Sequence, residues 1–240
     1  TRIGSSAASD VYKRQRMMRG HDLTRKSNPI IKHGEAPINF LNKLQRVKYC
    51  VNRHVLEVAE EMRLRGRVIG KFIPIAPAYK PSRPADADDN AESNLSWRRS
   101  MAEAYNADRI NFKRSVRTRT QLEAAEKFKD ESFYLCWSFD YRGRAYPIPA
   151  FLTPQDTDFG KAILNFADES SVTDEAELWL SFQVATTFGL DKSTLEDRHQ
   201  WVSENTELIT KVATDPVRYL SEWEEVDEPW QFMSSCHEYY

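Results

Sequence analysis

A chain of 240 residues, 40% hydrophobic and 29% charged, can bury a substantial core and is not a disordered tail. No apolar run approaches the roughly 18 residues that cross a bilayer. The three cysteines, Cys50, Cys136 and Cys236, form no Cys-x-x-Cys pair, so neither a disulfide framework nor a zinc ribbon is expected, and a soluble protein of a reducing cytoplasm fits best. The net charge of −2 conceals a division: residues 1–120 hold 25 Lys and Arg against 12 Asp and Glu, whereas residues 121–240 hold 9 against 24. Clustered Lys and Arg release counterions from phosphates, so the basic half points to a polyanion; the alternative is two solvated surfaces that attract each other.

In chain order, Ser5 to Gln15 (SSAASDVYKRQ) has no apolar period and no cap. It matches the translation of a transposon-type sequencing adapter, so residues 1–15 are expected to be a non-native scar. Without them, residues 16–120 still carry 22 basic against 11 acidic side chains. From Leu41 to Met62 the apolar residues Leu41, Leu44, Val51, Val55, Val58 and Met62 recur at helical spacing, which predicts one long amphipathic helix with Lys43, Arg46, Lys48 and Arg53 on its polar face. Residues 71–93 carry Pro74, Pro77, Pro81 and Pro84 followed by four acids, a composition that reads as an unpacked connector.

Beyond Asn94 a helix is expected to about Val116 and a further one through Leu122, Ala125 and Phe128, the two forming an antiparallel pair. Arg109, Lys113, Arg114, Arg117 and Arg119 place five basic residues in eleven with no acid among them, which suits either a solvated face or phosphate contacts. Phe133 to Phe139 (FYLCWSF) reads as a buried strand, and Pro147, Pro149 and Pro154 then hold an extended path. Helices are expected at about Asp158–Phe166 and Thr173–Phe188. Ser193 to Glu196 has capping-box spacing ahead of a helix through Arg198, Trp201, Val202, Leu208, Ile209 and Val212 that stops before Pro216.

The common catalytic signatures are missing: no phosphate-loop string, no Gly-x-Gly-x-x-Gly, no His-Glu-x-x-His and no Gly-x-Ser-x-Gly. The five histidines are scattered and receive no site, and adjacent acids such as Glu224 and Glu225 read as solvating charge. One string stands out, Asp140-Tyr141-Arg142-Gly143-Arg144-Ala145-Tyr146-Pro147. Its guanidiniums are bidentate phosphate donors, its glycine permits close approach, and its tyrosines can stack on a base or sugar. As a short string it equally suits a turn in which Asp140 orients an arginine.

In its longer context Asp140 to Pro147 resembles the Asp-x-x-Gly-Arg motif of the single-subunit, phage-type DNA-dependent RNA polymerases. Pro154-Gln155, Asp158 and Lys161 resemble that family's Pro-Gln-Gly-x-Asp-x-x-Lys segment, Gly189 to Lys192 its Gly-x-Asp-Lys, and Arg198-x-x-Trp-Val-x-x-Asn205 its following helix. Asp227 to Phe232, with Cys236 and Glu238-Tyr239, is similar to the stretch leading into its first catalytic carboxylate. Gln45, Tyr49 and Asn52 resemble an upstream helical Gln-x-x-x-Tyr/Trp-x-x-Asn pattern. Asp156 departs from the usual glycine, which bears on the turn there, and Gln183 and Thr186 stand where a histidine and an asparagine are common.

The resemblance implies an α-rich α+β fold: the end of an N-terminal domain (16–70), a thumb-like helical region with its Pro-rich connector (71–130) and the beginning of a palm (131–240). It implies nucleotidyl transfer from NTPs onto RNA on a DNA template. Tyr141, Arg142, Gly143, Arg144, Tyr146, Lys161, Arg114, Arg117 and Arg119 are the expected nucleic-acid contacts. The Mg²⁺ ligands and catalytic residues of the full-length enzyme are expected outside this stretch, so these residues should bind nucleic acid weakly and synthesise no RNA alone. A monomer, away from membranes, is expected in the cytoplasm of a phage-infected or prophage-bearing bacterium in preference to a mitochondrion. The competing readings are a non-enzymatic helical nucleic-acid-binding module and a metabolic α+β enzyme with an acidic site in its C-terminal half.

Overall fold

A computed structural model describes residues 35–140 and 143–240. The expected scar at 1–15 therefore lies outside the described residues, as do Tyr141 and Arg142. The fold is helix-rich with small antiparallel sheets, an α-rich α+β arrangement as expected. No helix among the described residues is long and apolar enough to cross a membrane.

The helix expected over Leu41–Met62 is divided in three. Helix α1 (Glu35–Leu44) ends in a turn, β1 (Lys48–Val51) follows, and α2 (Arg53–Leu64) begins after Asn52. The apolar positions do satisfy helical spacing, but the Lys48-Tyr-Cys-Val51 run is β-favouring and finds partners on both sides. It is the central strand of a three-stranded antiparallel sheet, pairing Tyr49 with Phe133 of β2 (Phe133–Tyr134) and Cys50 with Asn165 of β5 (Leu164–Phe166). Gln45, Tyr49 and Asn52 thus sit on a turn, a strand and a cap. The Asn52 side chain accepts from the Val55 amide at 3.2 Å, starting α2, and its Nδ2 donates to Asn165 and to Ser234 Oγ.

The expected antiparallel helix pair is a single helix, α3 (Ala91–Phe128), of 38 residues. It contains neither Gly nor Pro, so nothing ends it near Val116. Asn90 caps its start through the Glu92 and Ser93 amides. Its C-terminal third docks on the body through Ser115, Thr118, Gln121, Leu122, Ala125 and Phe128, while the rest buries only Ala104.

What runs antiparallel to α3 is the Pro-rich connector, which packs after all. Its extended backbone descends the helix in register. Ile73 donates to Thr118 Oγ1 (2.9 Å), Asn111 donates to Ala76 (3.1 Å), Ala78 donates to Asp108 Oδ1 (2.6 Å), Trp97 donates to Pro81 (3.1 Å) and Asn94 donates to Ala87 (3.0 Å). Prolines keep the strap extended, and polar helix side chains satisfy the backbone groups it leaves open.

The run Phe133–Phe139 forms two strands in different sheets, because the chain leaves β2 at Leu135-Cys136 and enters β3 (Trp137–Phe139), which among the described residues pairs with β4 (Ala145–Pro147) alone. The expected helix at Asp158–Phe166 is a short helix, α4 (Asp158–Ala162), followed by β5. Helix α5 (Asp174–Phe188) matches its expectation, with Thr173 as N-cap and Gly189 beyond its end at φ +131°. The capping box lies one residue later than expected, at Thr194 and Asp197, and heads α6 (Leu195–Glu204). Asn205 separates it from α7 (Thr206–Thr214). The last helix is α8 (Pro229–Tyr239).

One core joins the oppositely charged halves. Phe72, Phe159, Trp223 and Trp230 are fully buried, and their rings meet at centroid distances of 4.8 to 5.4 Å, so Phe72 from the basic half is enclosed by the acidic one.

Candidate nucleic-acid interface

Strands β3 and β4 form a hairpin closed by the Phe139–Ala145 pair, and its tip is the Asp140–Arg144 turn. Three bonds hold that turn: Asp140 N–H to the Arg144 carbonyl (2.9 Å), Gly143 N–H to the Asp140 carbonyl (3.1 Å), and Arg144 N–H to Asp140 Oδ1 (2.9 Å). The Asp140 carboxylate therefore fixes the main chain of Arg144 and leaves that residue exposed. Gly143 sits at φ +81° with open space where a Cβ would stand, so its need is for backbone conformation. Tyr146, alternating with its β4 neighbours, is 37% exposed.

The three named arginines of α3 do not share one face. Arg114 and Arg117, three apart, lie on the same side, while Arg119 is rotated away. Arg114 is exposed and has no ion-pair partner among the described residues. Arg117 pairs with Asp156 and lies over Phe151. Arg119 lies over the Phe112 ring at 4.7 Å and reaches Glu123 at 3.6 Å. Lys161, on α4, is 3.9 Å from Glu228. Of the arginines and the lysine that the sequence singles out as contacts, Arg114 and Arg144 are the two that pair with no acid among the described residues.

Asp156, read from sequence only as a departure at a turn, is the buried acceptor that explains the Arg117 geometry. It also accepts from Gln121 Nε2 (3.1 Å) and the Thr157 amide (2.6 Å). Gly160 makes room for it: an added Cβ there would collide with the Asp156 side chain. Asp158 lies in a second motif and acts on a third. Its carboxylate accepts from the Trp230 and Gln231 amides (2.9 and 3.0 Å), capping α8 from a distant element, and also from Gln231 Nε2 (3.1 Å). Burial pushes its carboxyl above the usual range, the bonds from Trp230 and Gln231 oppose that, and Glu228 reinforces it.

Sequence spacing gave no sign of three further arrangements. The rings of His54 and His237 stack at 3.8 Å and 11°, and His54 Nε2 is buried without a hydrogen-bond partner among the described residues. Burial, then the neighbouring His237, lowers the His54 pKa, against a smaller opposing pull from Glu57. Ser181 Oγ lies 2.5 Å from His199 Nδ1 in a cleft of about 340 Å³ that Asp174, Glu177 and Tyr239 also line. The buried Arg198 donates to Thr186 Oγ1 (2.9 Å) and to the Asp191 carbonyl (2.6 Å), beneath the Phe182 ring, which ties the Gly189–Lys192 segment to α6.

Residues 171–240 match the family model of DNA-dependent RNA polymerases. The T7 RNA polymerase of Escherichia phage T7 is 30% identical over 201 residues, 83% of this chain and 22% of that protein. The mitochondrial DNA-directed RNA polymerase of Neurospora crassa is 27% identical over 199 residues, 82% of this chain and 14% of that protein. DNA-directed RNA polymerase 1, mitochondrial, of Arabidopsis thaliana is 28% identical over 205 residues, 84% of this chain and 21% of that protein. The chain belongs to the single-subunit, phage-type RNA polymerase family, and it spans between about a seventh and a fifth of the length of these curated relatives.

Proposed function

We propose that this chain contributes template and hybrid binding to a DNA-directed RNA polymerase, an enzyme that transfers nucleotides from NTPs onto RNA on a DNA template. The observation that carries the reading is the exposed Arg144, its amide held by Asp140, on a hairpin that Gln155 and Asp156 link to the helix bearing Arg114. A backbone-fixed arginine and a projecting basic helix suit phosphates whatever the base sequence. In this reading residues 16–70 close an N-terminal domain, 71–130 form a thumb-like region in which the strap braces one long helix, and 131–240 begin a palm. Tyr141, Arg142, Gly143 and Tyr146 are the hairpin's further proposed contacts and Lys161 another, while the proposed contacts Arg117 and Arg119 are already engaged by acids.

Template DNA, nascent RNA and NTPs are the proposed partners of the whole enzyme, acting as a monomer away from membranes. A phage-infected or prophage-bearing bacterial cytoplasm is the preferred setting, although the relatives include mitochondrial enzymes. The whole enzyme is proposed to use Mg²⁺. Among the described residues no three His, Cys, Asp or Glu side chains are grouped to hold a metal ion, so these residues do not fit that role and no step is derived through it.

The test is fluorescence anisotropy with a labelled RNA–DNA hybrid over a salt series. Arg144→Ala is expected to weaken binding several-fold and to reduce the salt slope by about one. An unchanged affinity would remove the hairpin from the interface.

A further inference from the structure

We propose that Asp156 is a positioning residue that sets the angle of the long basic helix against the arginine-bearing hairpin, and that Arg117 serves this ion pair in place of a phosphate. The Asp156 side chain is fully buried, whereas that of Arg117 is half exposed, so the acid is the anchored partner. Both carboxylate oxygens are engaged from α3: Arg117 on Oδ1, which also takes the Thr157 amide, and Gln121 Nε2 on Oδ2. The neighbouring Gln155 donates to the carbonyl of Ala145, the residue after Arg144, at 3.2 Å. A continuous polar path thus runs from helix to hairpin, α3 to Asp156, across one peptide to Gln155, and on to β4.

The position matters mechanically. Ser115, Thr118, Gln121 and Leu122 are where α3 first seats on the body, so the Asp156 contact falls at its fulcrum. The helix beyond Arg117 extends for about 39 Å at 1.5 Å per residue, so a tilt of roughly 10° at the fulcrum displaces its tip by about 7 Å. Little else can take the carboxylate's place. Gly160 leaves just enough room for it, and a larger acid would meet the first turn of α4.

The functional half of this inference rests on the nucleic-acid reading above, so two readouts are needed on the 240-residue protein. One is amide hydrogen exchange over residues 113–123 and 155–160; the other is affinity for the labelled RNA–DNA hybrid over a salt series. Asp156→Asn and Arg117→Gln are each expected to speed exchange in both segments and to weaken binding by about tenfold, the double variant being no weaker than either single. Arg117→Lys, which keeps the charge, is expected to retain most of both properties and supplies the comparison if either neutral variant fails to fold. Simple charge counting gives the opposite sign for Asp156→Asn, because it removes an acid and releases a guanidinium. Tighter binding with a salt slope steeper by about one would overturn the proposal. Unchanged exchange in both neutral variants would overturn the latch itself. Altered exchange in a protein whose parent form does not bind the hybrid would overturn the nucleic-acid role and the positioning role built on it, while leaving the latch as a structural contact.

Discussion

The projecting part of α3 and the α5–α8 body are ordered in contrasting ways. The body is held by aromatic packing, with Trp223, Trp230 and Phe232 fully buried, whereas the outer helix buries almost nothing and is braced by side-chain bonds to an extended strap. Apolar burial does not depend on the charge state of its groups, while solvent-facing polar braces respond to pH and to ionic screening. The chain therefore carries its basic outer helix on polar braces and its motif-bearing helices on a packed core. Opposite net charges in the two halves follow the same line, since the outer helix faces a polyanion in the proposed reading and the body faces solvent.

That contrast can be broken first in the body. Trp230→Ala would open a cavity against Phe72, Phe159 and Trp223, and about 3–5 kcal/mol of stability should be lost in urea denaturation. A loss below about 1 kcal/mol would mean that the aromatic cluster does not hold the two halves together.

A smaller effect is expected at the contact of α2 with α8. The folded His54 has a lowered pKa, so the unfolded chain takes up its proton first as pH falls. The stability it contributes is complete above pH 6.5 and is lost as pH drops from there through the lowered value. Urea midpoints measured from pH 8 to pH 5 should fall over that window and should flatten in His54→Phe. An equal fall in the variant would assign the pH dependence to another group.

The smallest effect belongs to the strap. Asp108 is held below the usual carboxylate range first by the Ala78 amide, then by Lys80. Its contribution is therefore present above pH 3.8 and fades as pH falls through its lowered value. Asp108→Ala should leave the urea midpoint nearly unchanged and yet speed proteolysis around residues 76–81. Unaltered cleavage there would show that the strap does not depend on this bond.

Much of this architecture was legible because local signals agreed with tertiary ones. Thr173 before an apolar run and Gly189 after it mark α5 at both ends, whereas the run from Ala91 to Phe128 reads as two helices although it holds no Gly or Pro to divide it. The Arg-Gly-Arg string stands out in the sequence, but the hairpin around it does not, because the apolar run before it reads as one strand and the prolines after it as an extended path. The rest depends on partners far away in sequence. Residues 48–51 satisfy a helical period and become a strand because β2 and β5 pair on either side, more than 80 and 110 residues later. The strap is ordered by bonds to helix side chains that no local pattern announces. Asp156 looked like a misplaced glycine until Arg117, 39 residues earlier, was found beside it. Asp158 has the look of a motif acid, and its work is to cap a helix 72 residues away.

The measurement that bears most directly on the whole account is the salt dependence of hybrid binding by the unaltered 240-residue protein. A logarithmic slope of roughly −3, as about three or four neutralised phosphates would give, is expected, with Arg144→Ala shallower by about one. A slope near zero, or no binding at low salt, would contradict it.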